Sequence, residues 1–417
     1  MPFIPLADAA EPCNKLDPMY LETKRATEIT KKFIADRGLI CYGGTALDYA
    51  SRLAGSKIYD DSKLDLPDLD FFSIDPFKDA CDLADILYQN GYSGARCFKA
   101  MHVGTMRVDC GENHFVADVS YCPIISEIKT MKYESFLIVD PIYQRVDIHS
   151  SLSFPYDNAP MEVIFNRWKK DTERFNIIDG LYPVQTSLKQ MAQKMQTTGE
   201  TSLVAGPVYT GQVAYNNFVG GKISSPVNVV EICSIDPELT MTDLGLKLVT
   251  EHEQYFNLLP QMSFCVDESG QKKYIIYDIS DKLLSYNSVS VGDVKYRVSC
   301  GNFTLKMILG WLLTTEAGRV SWPWRPDYCV DANTMRAMYV ELLGRVTLSI
   351  NVYGTDNISH LTLIKLEEQE HMINGQGSYQ TEFPLPDTYR PSSGKRPEEQ
   401  FNYRNNPLLC ISGNIIA

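Results

Sequence analysis

The sequence predicts an α+β fold in which helices pack against a mixed β-sheet, followed by a second, diverged copy of that fold. Up to Tyr121, short apolar runs and amphipathic stretches follow one another in the order strand, helix, strand, helix, strand, strand. This is the order of an α+β or α/β core. Further along, the tetrapeptide Ser-Ile-Asp-Pro at residues 73–76 recurs at residues 234–237, each time before a predicted helix. Because a four-residue identity also arises by chance, the echo favours a duplication without requiring one.

The composition describes a globular chain of two or three domains. The chain has 417 residues, of which 44% are hydrophobic and 22% are charged, and its formal charge is −13. It is too apolar for intrinsic disorder. Its acidity excludes a general duplex-binding protein, because such proteins depend on many Lys and Arg contacts with phosphates. Any nucleic acid partner must therefore meet a local basic surface.

The cysteines predict a reducing environment. All 11 are scattered singly, without a C-x-x-C pair, which indicates buried thiols in the cytosol rather than a disulfide framework or a zinc ribbon. The N-terminal residues lack the basic and apolar regions of a secretory signal, and no stretch approaches the roughly 18 apolar residues of a membrane span. We expect a soluble protein.

The first elements are predicted from caps and periodicity. A helix begins after Asp17, its predicted N-cap, with Pro18 in its first turn, and ends at Gly38. Residues 39–42 form an apolar run that predicts a buried strand. This strand leads directly into a glycine pair and a second helix closed by Gly55. We then expect a polar loop over residues 56–67.

Later elements follow the same signals. We expect a strand over residues 69–74, a helix over residues 80–89 and a hairpin of strands at residues 103–110 and Phe115–Tyr121, joined by Gly111-Glu112-Asn113. In the second half we expect strands at residues 274–279 and Val294–Ser299 and helices at residues 304–315 and 333–346. The expected domains are residues 1–38, a helical segment; 39–185, the first core; 186–375, its degenerate copy; and 376–417, an extended Pro-rich tail.

The predicted second copy lacks an acidic pair that the first one carries. Aligning the two copies matches the glycines at 43–44 with those at 220–221, although their spacings from the tetrapeptide differ. Aligning the two tetrapeptides places Val229 opposite Asp68 and Glu231 opposite Asp70. The second copy is therefore predicted to have lost a function that the first copy keeps.

The strongest chemical signal is the pair Asp68 and Asp70, with Asp118 on a later strand. Residues two apart on a strand point to the same face, so the two carboxylates lie together while Leu69 and Phe71 pack inward. Carboxylates this close repel unless a cation lies between them, and oxygen ligands select Mg²⁺ or Mn²⁺. A third carboxylate would complete a two-metal site, with ions about 3.5 to 4 Å apart, that can activate a hydroxyl and stabilise a leaving pyrophosphate.

The glycine pair Gly43-Gly44 predicts a phosphate-binding turn. Between a strand and a helix, paired glycines let backbone N–H groups approach a triphosphate, and the helix N-terminus favours the anion. Thr45 would add a hydroxyl contact. An Asp-x-Asp pair alone is common on surface strands. The glycine turn before it and the carboxylate after it together favour a metal site.

The third ligand is a choice between Asp109 and Asp118, and either could instead be a hairpin-end residue in contact with solvent. We favour Asp118, because its neighbours Val116 and Val119 make an ionised side chain costly without a cation or a partner. Three nearby acids are predicted to be solvated loop charges: Asp60, Asp61 and Asp65.

Residues 165–175 combine basic and aromatic side chains that could contact single-stranded RNA. Such a combination gives phosphate contacts and stacking; the alternative is an amphipathic helix with a solvated basic face. The candidate RNA-binding residues are Arg167, Lys169, Lys170 and Arg174. The basic and aromatic tail at residues 389–404 is a second candidate, with docking onto the body as its alternative. His102 is expected to be a core or hydrogen-bonded strand residue.

Taken together, these motifs resemble the DNA polymerase β-like nucleotidyltransferase superfamily. A longer string is similar to the poly(A) polymerase catalytic subunit of large DNA viruses, of the poxvirus, asfarvirus and mimivirus type. That string comprises residues 42–47 (YGGTAL), 66–73 (LPDLDFFS), 100–105 (AMHVGT), 118–120 (DVS), 165–174 (FNRWKKDTER) and 353–357 (YGTDN). The resemblance runs over most of the chain. One departure is the interval of 23 residues between Gly44 and Asp68, which is longer than is usual in the superfamily.

The resemblance implies a catalytic nucleotidyltransferase domain followed by a degenerate copy of it. It also implies ATP as donor, the 3′ hydroxyl of a single-stranded RNA as nucleophile, and two divalent ions. In that picture Asp68 and Asp70 carry the metals together with Asp118, which also activates the hydroxyl. The phosphates are cradled by Gly43, Gly44 and Thr45.

The implied activity is template-independent poly(A) synthesis on mRNA 3′ ends, in the virion and the host cytoplasm and without a membrane. Poxvirus-type enzymes work with a separate processivity subunit and mimivirus-type ones form homodimers, and the sequence does not choose between them. Two alternatives stay open. One is another nucleotidyltransferase of the superfamily, such as a CCA-adding, uridylyl- or small-molecule-modifying enzyme. The other is a non-catalytic RNA-binding or processivity subunit, against which the intact carboxylates argue.

Overall fold

The computed structural model describes residues 18–59, 68–100, 104–111, 114–154, 161–186, 206–220, 227, 229–280, 284, 286–316, 331–353, 389–394 and 396. The chain divides into two compact units. The first comprises residues 1–144 and 380–409, and the second comprises residues 145–379 and 410–417. Each unit is built around one mixed seven-stranded sheet.

The first unit begins with a helix and contains the first sheet. Its helices are α1 (Pro18–Arg37), α2 (Gly43–Leu53) and α3 (Pro76–Gln89). Its strands are β1 (Ile40–Tyr42), β2 (Leu69–Ser73), β3 (Arg96–Lys99), β4 (Thr105–Asp109), β5 (Phe115–Tyr121), β6 (Thr130–Tyr133) and β7 (Phe136–Val139). Their order across the sheet is β3-β4-β5-β2-β1-β7-β6. Helix α4 (Pro141–Ser153) follows directly.

One face of the first sheet is its core. Alternate residues of the strands are fully buried there, and helices α1 and α3 contact the strands β2, β4 and β5. The ring of Phe71 on β2 lies 6.1 Å from the ring of Phe33 on α1. Helix α3 is capped by Asp75, which accepts from the Lys78 N–H, with Pro76 at the first helical position. The residues between the buried ones point to the opposite face, where the polar side chains collect.

The outer edge of the first sheet is covered by a segment from far along the chain. Tyr389 forms an antiparallel bridge with Cys97 of β3. The backbone nitrogen of each residue donates to the backbone oxygen of the other, with a nitrogen-to-oxygen distance of 2.9 Å in both bonds. The Tyr389 hydroxyl donates to Asp85 at 2.6 Å, and Arg396 pairs with Asp82 at 2.6 Å. The described part of the predicted tail therefore lies against the body, on the first unit.

The second unit repeats the arrangement of the first. Its helices are α5 (Met161–Leu181), α6 (Gly211–Gly220), α7 (Pro237–Asp243), α8 (Gly301–Glu316) and α9 (Ala332–Tyr353). Its strands are β8 (Val208–Thr210), β9 (Val229–Ser234), β10 (Lys247–His252), β11 (Met262–Val266), β12 (Lys273–Asp278), β13 (Tyr286–Val291) and β14 (Val294–Ser299). The strand order β10-β11-β12-β9-β8-β14-β13 matches that of the first sheet strand for strand.

The pairing directions also match. β8 and β9 are antiparallel as β1 and β2 are, and β9 and β12 are parallel as β2 and β5 are. The N-cap of α7 repeats that of α3, because Asp236 accepts from the Leu239 N–H. The duplication suggested by the repeated tetrapeptide is therefore confirmed.

One detail of the predicted alignment is wrong. Gly220, predicted to match Gly43, is the last residue of α6. The structural equivalent of Gly43 is Gly211, which follows β8 and begins α6 with φ of +57°, as Gly43 follows β1 and begins α2 with φ of +68°. The glycine pair at 220–221 misled the alignment because the turn requires glycine only at its first residue, the one with the left-handed backbone.

The thiol prediction is confirmed for the cysteines that the structure describes, which are buried thiols. Among the described residues, no helix combines the length and the apolar character that crossing a membrane requires.

Candidate active site

The three predicted carboxylates meet on two neighbouring parallel strands. Asp70 of β2 lies directly opposite Asp118 of β5 in the strand register, and Asp68 comes immediately before β2. One carboxylate oxygen from each residue lies within 4.8 Å of the others, the only group of three or more acidic, His or Cys side chains found this close in the described chain. Asp68 is exposed, Asp70 half-buried and Asp118 buried. The site therefore has an open side at Asp68 and a closed side at Asp118.

The alternation predicted for β2 places these side chains. Leu69 and Phe71 are buried on the helix-covered face, so Asp70 projects from the opposite one. On β5, Ala117 and Val119 are buried in the same way on either side of Asp118. The polar face of the sheet thus carries the acids.

Gly43 lies against Asp70. It has a left-handed backbone, with φ of +68°, and a Cβ added at this position would lie 2.3 Å from Asp70 Oδ2. Glycine is therefore required for two reasons, the backbone conformation and the close approach of the carboxylate. Helix α2 begins at Gly43, so its first backbone N–H groups lie beside the acidic cluster.

The Thr45 side chain is buried at 2% exposure, and its hydroxyl donates to the backbone oxygen of Asp68 at 3.1 Å. In this structure Thr45 connects the first turn of α2 to the residue that begins the acidic pair. It therefore holds Asp68 in place through the backbone.

Arg107 contacts the acidic cluster and was not among the predicted site residues. It lies on β4 opposite Asp118. Its guanidinium donates from Nε to Oδ1 at 2.7 Å and from Nη2 to Oδ2 at 2.6 Å. The hydrogen bond to Asp118 raises the pKa of Arg107 against the opposing effect of burial, and the charges of Asp118, Asp68 and Asp70 add to it. The available signal was the predicted hairpin, which brings the strand of residue 107 beside the strand of residue 118 without fixing their register.

Three hydroxyl groups continue the polar face beyond Asp118. Ser120 Oγ shares a 2.7 Å hydrogen bond with Tyr42 Oη and another of 2.7 Å with Thr105 Oγ1. The Tyr42 ring stacks on Phe72 with a centroid distance of 4.2 Å and an interplanar angle of 7°. These contacts tie β1, β4 and β5 together next to the carboxylates and stiffen that part of the face.

Asp109, the alternative third ligand, lies elsewhere. Its side chain is fully buried, and it pairs with Arg96 Nη2 at 2.7 Å. It also accepts from the Gly111 N–H at the hairpin turn. Asp109 is therefore a structural residue of the hairpin, and it is outside the group formed by the three clustered acids.

The donor set fits hard divalent cations. Three carboxylates face one guanidinium, so two more positive charges would be accommodated. All of the clustered ligand atoms are oxygens, and the exposed Asp68 leaves one side accessible. Asp118 would share its oxygens between Arg107 and a metal, as a carboxylate with two oxygens can.

The second unit carries apolar residues at two of the three positions where the first unit has its acids. By the matching registers, Glu231 corresponds to Asp70, Val229 to Asp68 and Ile275 to Asp118. Phe264, which pairs with Ile275, stands where Arg107 stands. The predicted loss of the acidic pair is thus confirmed. Among the residues that the structure describes, the second unit offers no such cluster of acidic ligands.

Glu231 fills the position beside the second helix N-terminus. A Cβ added to Gly211 would overlap its carboxyl group, at 1.7 Å from Oε1. Glu231 accepts from the Tyr277 hydroxyl at 2.6 Å, and Trp311 Nε1 donates to that hydroxyl at 2.8 Å. Burial raises the pKa of Glu231. The remaining acid is therefore part of a hydrogen-bonded core.

The predicted RNA-binding residues lie on α5, in the second unit. Lys170 is exposed, and Arg174 Nη1 lies 3.7 Å from Asp171 Oδ1. The side chains of Arg167 and Lys169 fall outside the described residues, as do the acids at residues 60, 61 and 65 and His102.

The fold and the carboxylates together define a nucleotidyltransferase fold present in two copies, of which the first carries the acidic site. Its spatial arrangement is similar to the crystal structure of the Megavirus polyadenylate synthase, with a TM-score of 0.65 at 17% identity over 95% of this chain and 86% of that one. Residues 28–158 match the family model of the poly(A) polymerase catalytic subunit. The predicted resemblance is confirmed for this part of the chain.

Two viral relatives support the assignment. A protein of African swine fever virus (strain Badajoz 1971 Vero-adapted) that bears the name of a poly(A) polymerase catalytic subunit is 43% identical over 173 residues, 41% of this chain and 36% of that protein. A protein of the same name from Acanthamoeba polyphaga mimivirus is 29% identical over 180 residues, 42% of this chain and 30% of that protein. The chain thus spans about a third of the length of the curated relatives that it matches.

Proposed function

We propose that this chain is a template-independent polynucleotide adenylyltransferase, which transfers AMP from ATP to the 3′ hydroxyl of an RNA and releases pyrophosphate. The observation that carries the proposal is the cluster of Asp68, Asp70 and Asp118 beside the N-terminus of α2. The names of the viral relatives supply the nucleotide and the acceptor.

Six residues in and beside the cluster have roles in this proposal. Asp68, Asp70 and Asp118 would hold two Mg²⁺ or Mn²⁺ ions. When bound, these ions supply the positive charge that acidifies the attacking hydroxyl and neutralises the leaving pyrophosphate. Asp118 would orient the 3′ hydroxyl and accept its proton, and the backbone N–H groups of Gly43 and Gly44 would bind the triphosphate. Thr45 would hold Asp68 through its backbone contact, with a phosphate contact as the predicted alternative.

The proposed partners follow from the same reaction. The acceptor is the 3′ end of a single-stranded mRNA, and the proposed setting is the virion and the host cytoplasm. A separate processivity subunit or a second copy of the chain would hold the RNA between additions, since the chain itself has a net charge of −13.

The test is a primer-extension assay with the full chain, an oligoribonucleotide, Mg²⁺ or Mn²⁺ and each NTP separately. We expect extension with ATP, and a loss of about 100-fold or more in Asp68→Ala and in Asp70→Ala. A matched control is Asp243→Ala, because Asp243 is an exposed acid at the end of α7. Circular dichroism verifies that the variants are folded.

The alternatives give different results. Extension that survives both substitutions contradicts the metal site. Equal use of CTP or UTP indicates a different nucleotidyltransferase, and RNA binding without any transfer indicates a non-catalytic subunit.

A further inference from the structure

Two arginines and two aromatic rings form a surface next to the carboxylates that the proposed function has not used. We define the Arg–Phe surface as Arg96 and Phe98 on β3, Arg107 on β4 and Phe115 on β5. Phe98 pairs with Arg107, and Arg107 pairs with Asp118. The surface therefore continues the polar face of the sheet from the acidic cluster outward to its edge.

The rings and cations of this surface are in mutual contact. The Arg107 guanidinium lies 4.7 Å from the Phe115 ring centroid, and that of Arg96 lies 5.3 Å from the Phe98 centroid. The two rings are 6.3 Å apart, at an angle of 63°. Phe115 remains 41% exposed. These contacts hold a large apolar ring at the surface in one place, as a stacking platform requires.

The direction of the reaction points to the RNA as the ligand of this surface. The triphosphate-binding N–H groups at the start of α2 lie on the Gly43 side of Asp70, next to β1. Asp118 lies on the other side of Asp70, on β5. In an in-line displacement, the attacking hydroxyl and the leaving pyrophosphate occupy opposite sides of the reacting phosphorus. An acceptor strand that reaches Asp118 therefore arrives over β5 and β4, where the Arg–Phe surface begins.

The charges suit an RNA backbone. Arg107 contacts Asp118 through its Nε and Nη2 edge, so a phosphate would approach the Nη1 edge of the same guanidinium. Arg96 donates from Nε at 3.2 Å and from Nη2 at 2.7 Å to one oxygen of Asp109, Oδ2. Planar guanidinium groups can bind a carboxylate and a phosphate on different edges.

We propose that the Arg–Phe surface binds the 3′-terminal nucleotides of the acceptor RNA. Phe115 stacks on a base near the 3′ end, Phe98 supports it and contacts the next base, and Arg107 and Arg96 bind the intervening phosphates. This inference rests on the proposed function, because it uses the direction of adenylyl transfer. The competing source of the same chemistry, a base and a phosphate, is the incoming ATP, and the experiment separates the two.

The binding experiment uses the full chain and a 5′-labelled oligoribonucleotide with Ca²⁺ and without ATP. In Phe115→Ala we expect the primer affinity to fall about 5- to 100-fold, the effect of losing one stacked base. Phe115→Trp restores it. The matched control is Tyr88→Ala, because Tyr88 is an aromatic residue of similar exposure, 40%, on helix α3. This control leaves primer affinity unchanged.

Two further readouts locate the contact. A 2-aminopurine placed at the last or penultimate nucleotide is quenched by stacking in the unmodified chain and in Phe115→Trp, and loses that quenching in Phe115→Ala. In Arg96→Gln the slope of log K against log salt becomes shallower by about 0.7, the value for one lost phosphate contact on a single strand.

The outcomes are distinct. Unchanged primer affinity in Phe115→Ala overturns the proposal, and so does an equal loss in Tyr88→Ala. A loss of ATP affinity with unchanged primer affinity assigns the ring to the donor nucleotide and also overturns it. Failure of the proposed function alone looks different: the unmodified chain then binds the primer through Phe115 and does not extend it.

Discussion

The Cα atom of Gly43 faces the carboxylate of Asp70 so closely that a Cβ on residue 43 would lie 2.3 Å from Oδ2. Asp70 comes from β2 and Gly43 begins the helix that follows β1. The contact therefore sets the distance between the acidic cluster and the N-terminus of α2. A reaction that needs metal-bound phosphates and backbone N–H groups at one place depends on that distance.

Gly43→Ala should inactivate adenylyl transfer by about 100-fold or more, because the new methyl group displaces the carboxylate by an ångström or so. The control is Gly38→Ala. Gly38 has a similar φ of +63°, and a Cβ there would meet nothing within 4 Å. Both variants should lose about 1 kcal/mol of stability from the left-handed backbone, and only Gly43→Ala should lose activity. Equal activity in the two variants would contradict the role of the contact.

Arg107→Gln should tighten Mn²⁺ binding by about 10-fold while it lowers activity. The guanidinium holds both oxygens of Asp118, so its removal frees a ligand and takes away a nearby positive charge. Electron paramagnetic resonance of free Mn²⁺ measures this affinity without any turnover. Arg96→Gln is the control, since Arg96 pairs with Asp109 instead. Mn²⁺ binding that weakens in Arg107→Gln would show that the arginine supports the metal site.

His149 should lower the free energy of unfolding of the second unit in acid. Its ring is buried at 1% exposure and lies 2.9 Å from both Asn302 Oδ1 and Tyr339 Oη. Burial lowers the pKa of His149 to about 3, and the charge of Arg145 contributes. Below its unfolded pKa of about 6.5, the unfolded chain binds a proton that the folded chain does not. The contribution of His149 to the free energy of unfolding should therefore drop by about 1.4 kcal/mol per pH unit as the pH falls from about 6.5 to 3.

Urea unfolding at pH 7 and pH 5 tests this, followed by tryptophan fluorescence. All four tryptophans of the chain fall between residues 168 and 324, in the second unit. The comparison is His149→Gln, which cannot titrate. Between the two pH values the unmodified chain should lose about 2 kcal/mol more than the variant. Parallel losses would mean that the imidazole is already charged in the folded state.

Tyr389→Pro should loosen the edge of the first sheet. Proline cannot donate the N–H that bonds to the Cys97 oxygen, and one lost hydrogen bond of about 1 kcal/mol corresponds to about fivefold faster local opening. Hydrogen–deuterium exchange of β3 should rise accordingly. Tyr389→Phe keeps the backbone bonds and loses only the hydroxyl contact with Asp85, so exchange at β3 should stay unchanged. No rise in the proline variant would mean that β3 is held without this bridge.

Much of the first unit and its site follows from local sequence signals. Strand β2 and strand β5 alternate clearly, and β1 is an apolar run followed by glycine, so the meeting of Asp68, Asp70 and Asp118 was predictable before any long-range contact was known. The helices α1, α2 and α8 and the strands β12 and β14 were predicted within a few residues, whereas α9 continues seven residues beyond its predicted end at residue 346.

The missed elements lack local signals. Strands β6 and β7 are four residues each, and their turn has Glu134 at φ of +51°, where a hairpin signal would have been Gly or Asn. Helix α4 carries the polar residues Arg145 and His149 on its buried side, so its sequence does not show the separate apolar and polar faces of an amphipathic helix. Strand β3 was also missed. The early start of α3 was readable from Asp75 and Pro76, which form a capping signal.

The remaining differences between the prediction and the structure concern the pairing of distant or shifted strands. The pairing of Arg107 with Asp118 depends on a hairpin whose register shifts between residues 108 and 109, and local pattern does not specify such a shift. The docking of Tyr389 on β3 joins residues 292 positions apart, and no periodicity reports a contact of that length. Long-range pairing is therefore the part of the fold that the sequence did not predict.

The bridge between Cys97 and Tyr389 has a consequence for the synthesis of the chain. A ribosome that adds about 5 to 20 residues per second needs about 15 to 60 s to add the 292 residues that follow Cys97 up to and including Tyr389. During that time the first sheet can form its core and its acidic face, but its edge strand β3 still lacks the bridge to Tyr389. The nascent first unit thus exposes an open strand edge, a template for mispairing, until residue 389 has left the ribosome. Chaperones that shield strand edges would act on this chain in that interval.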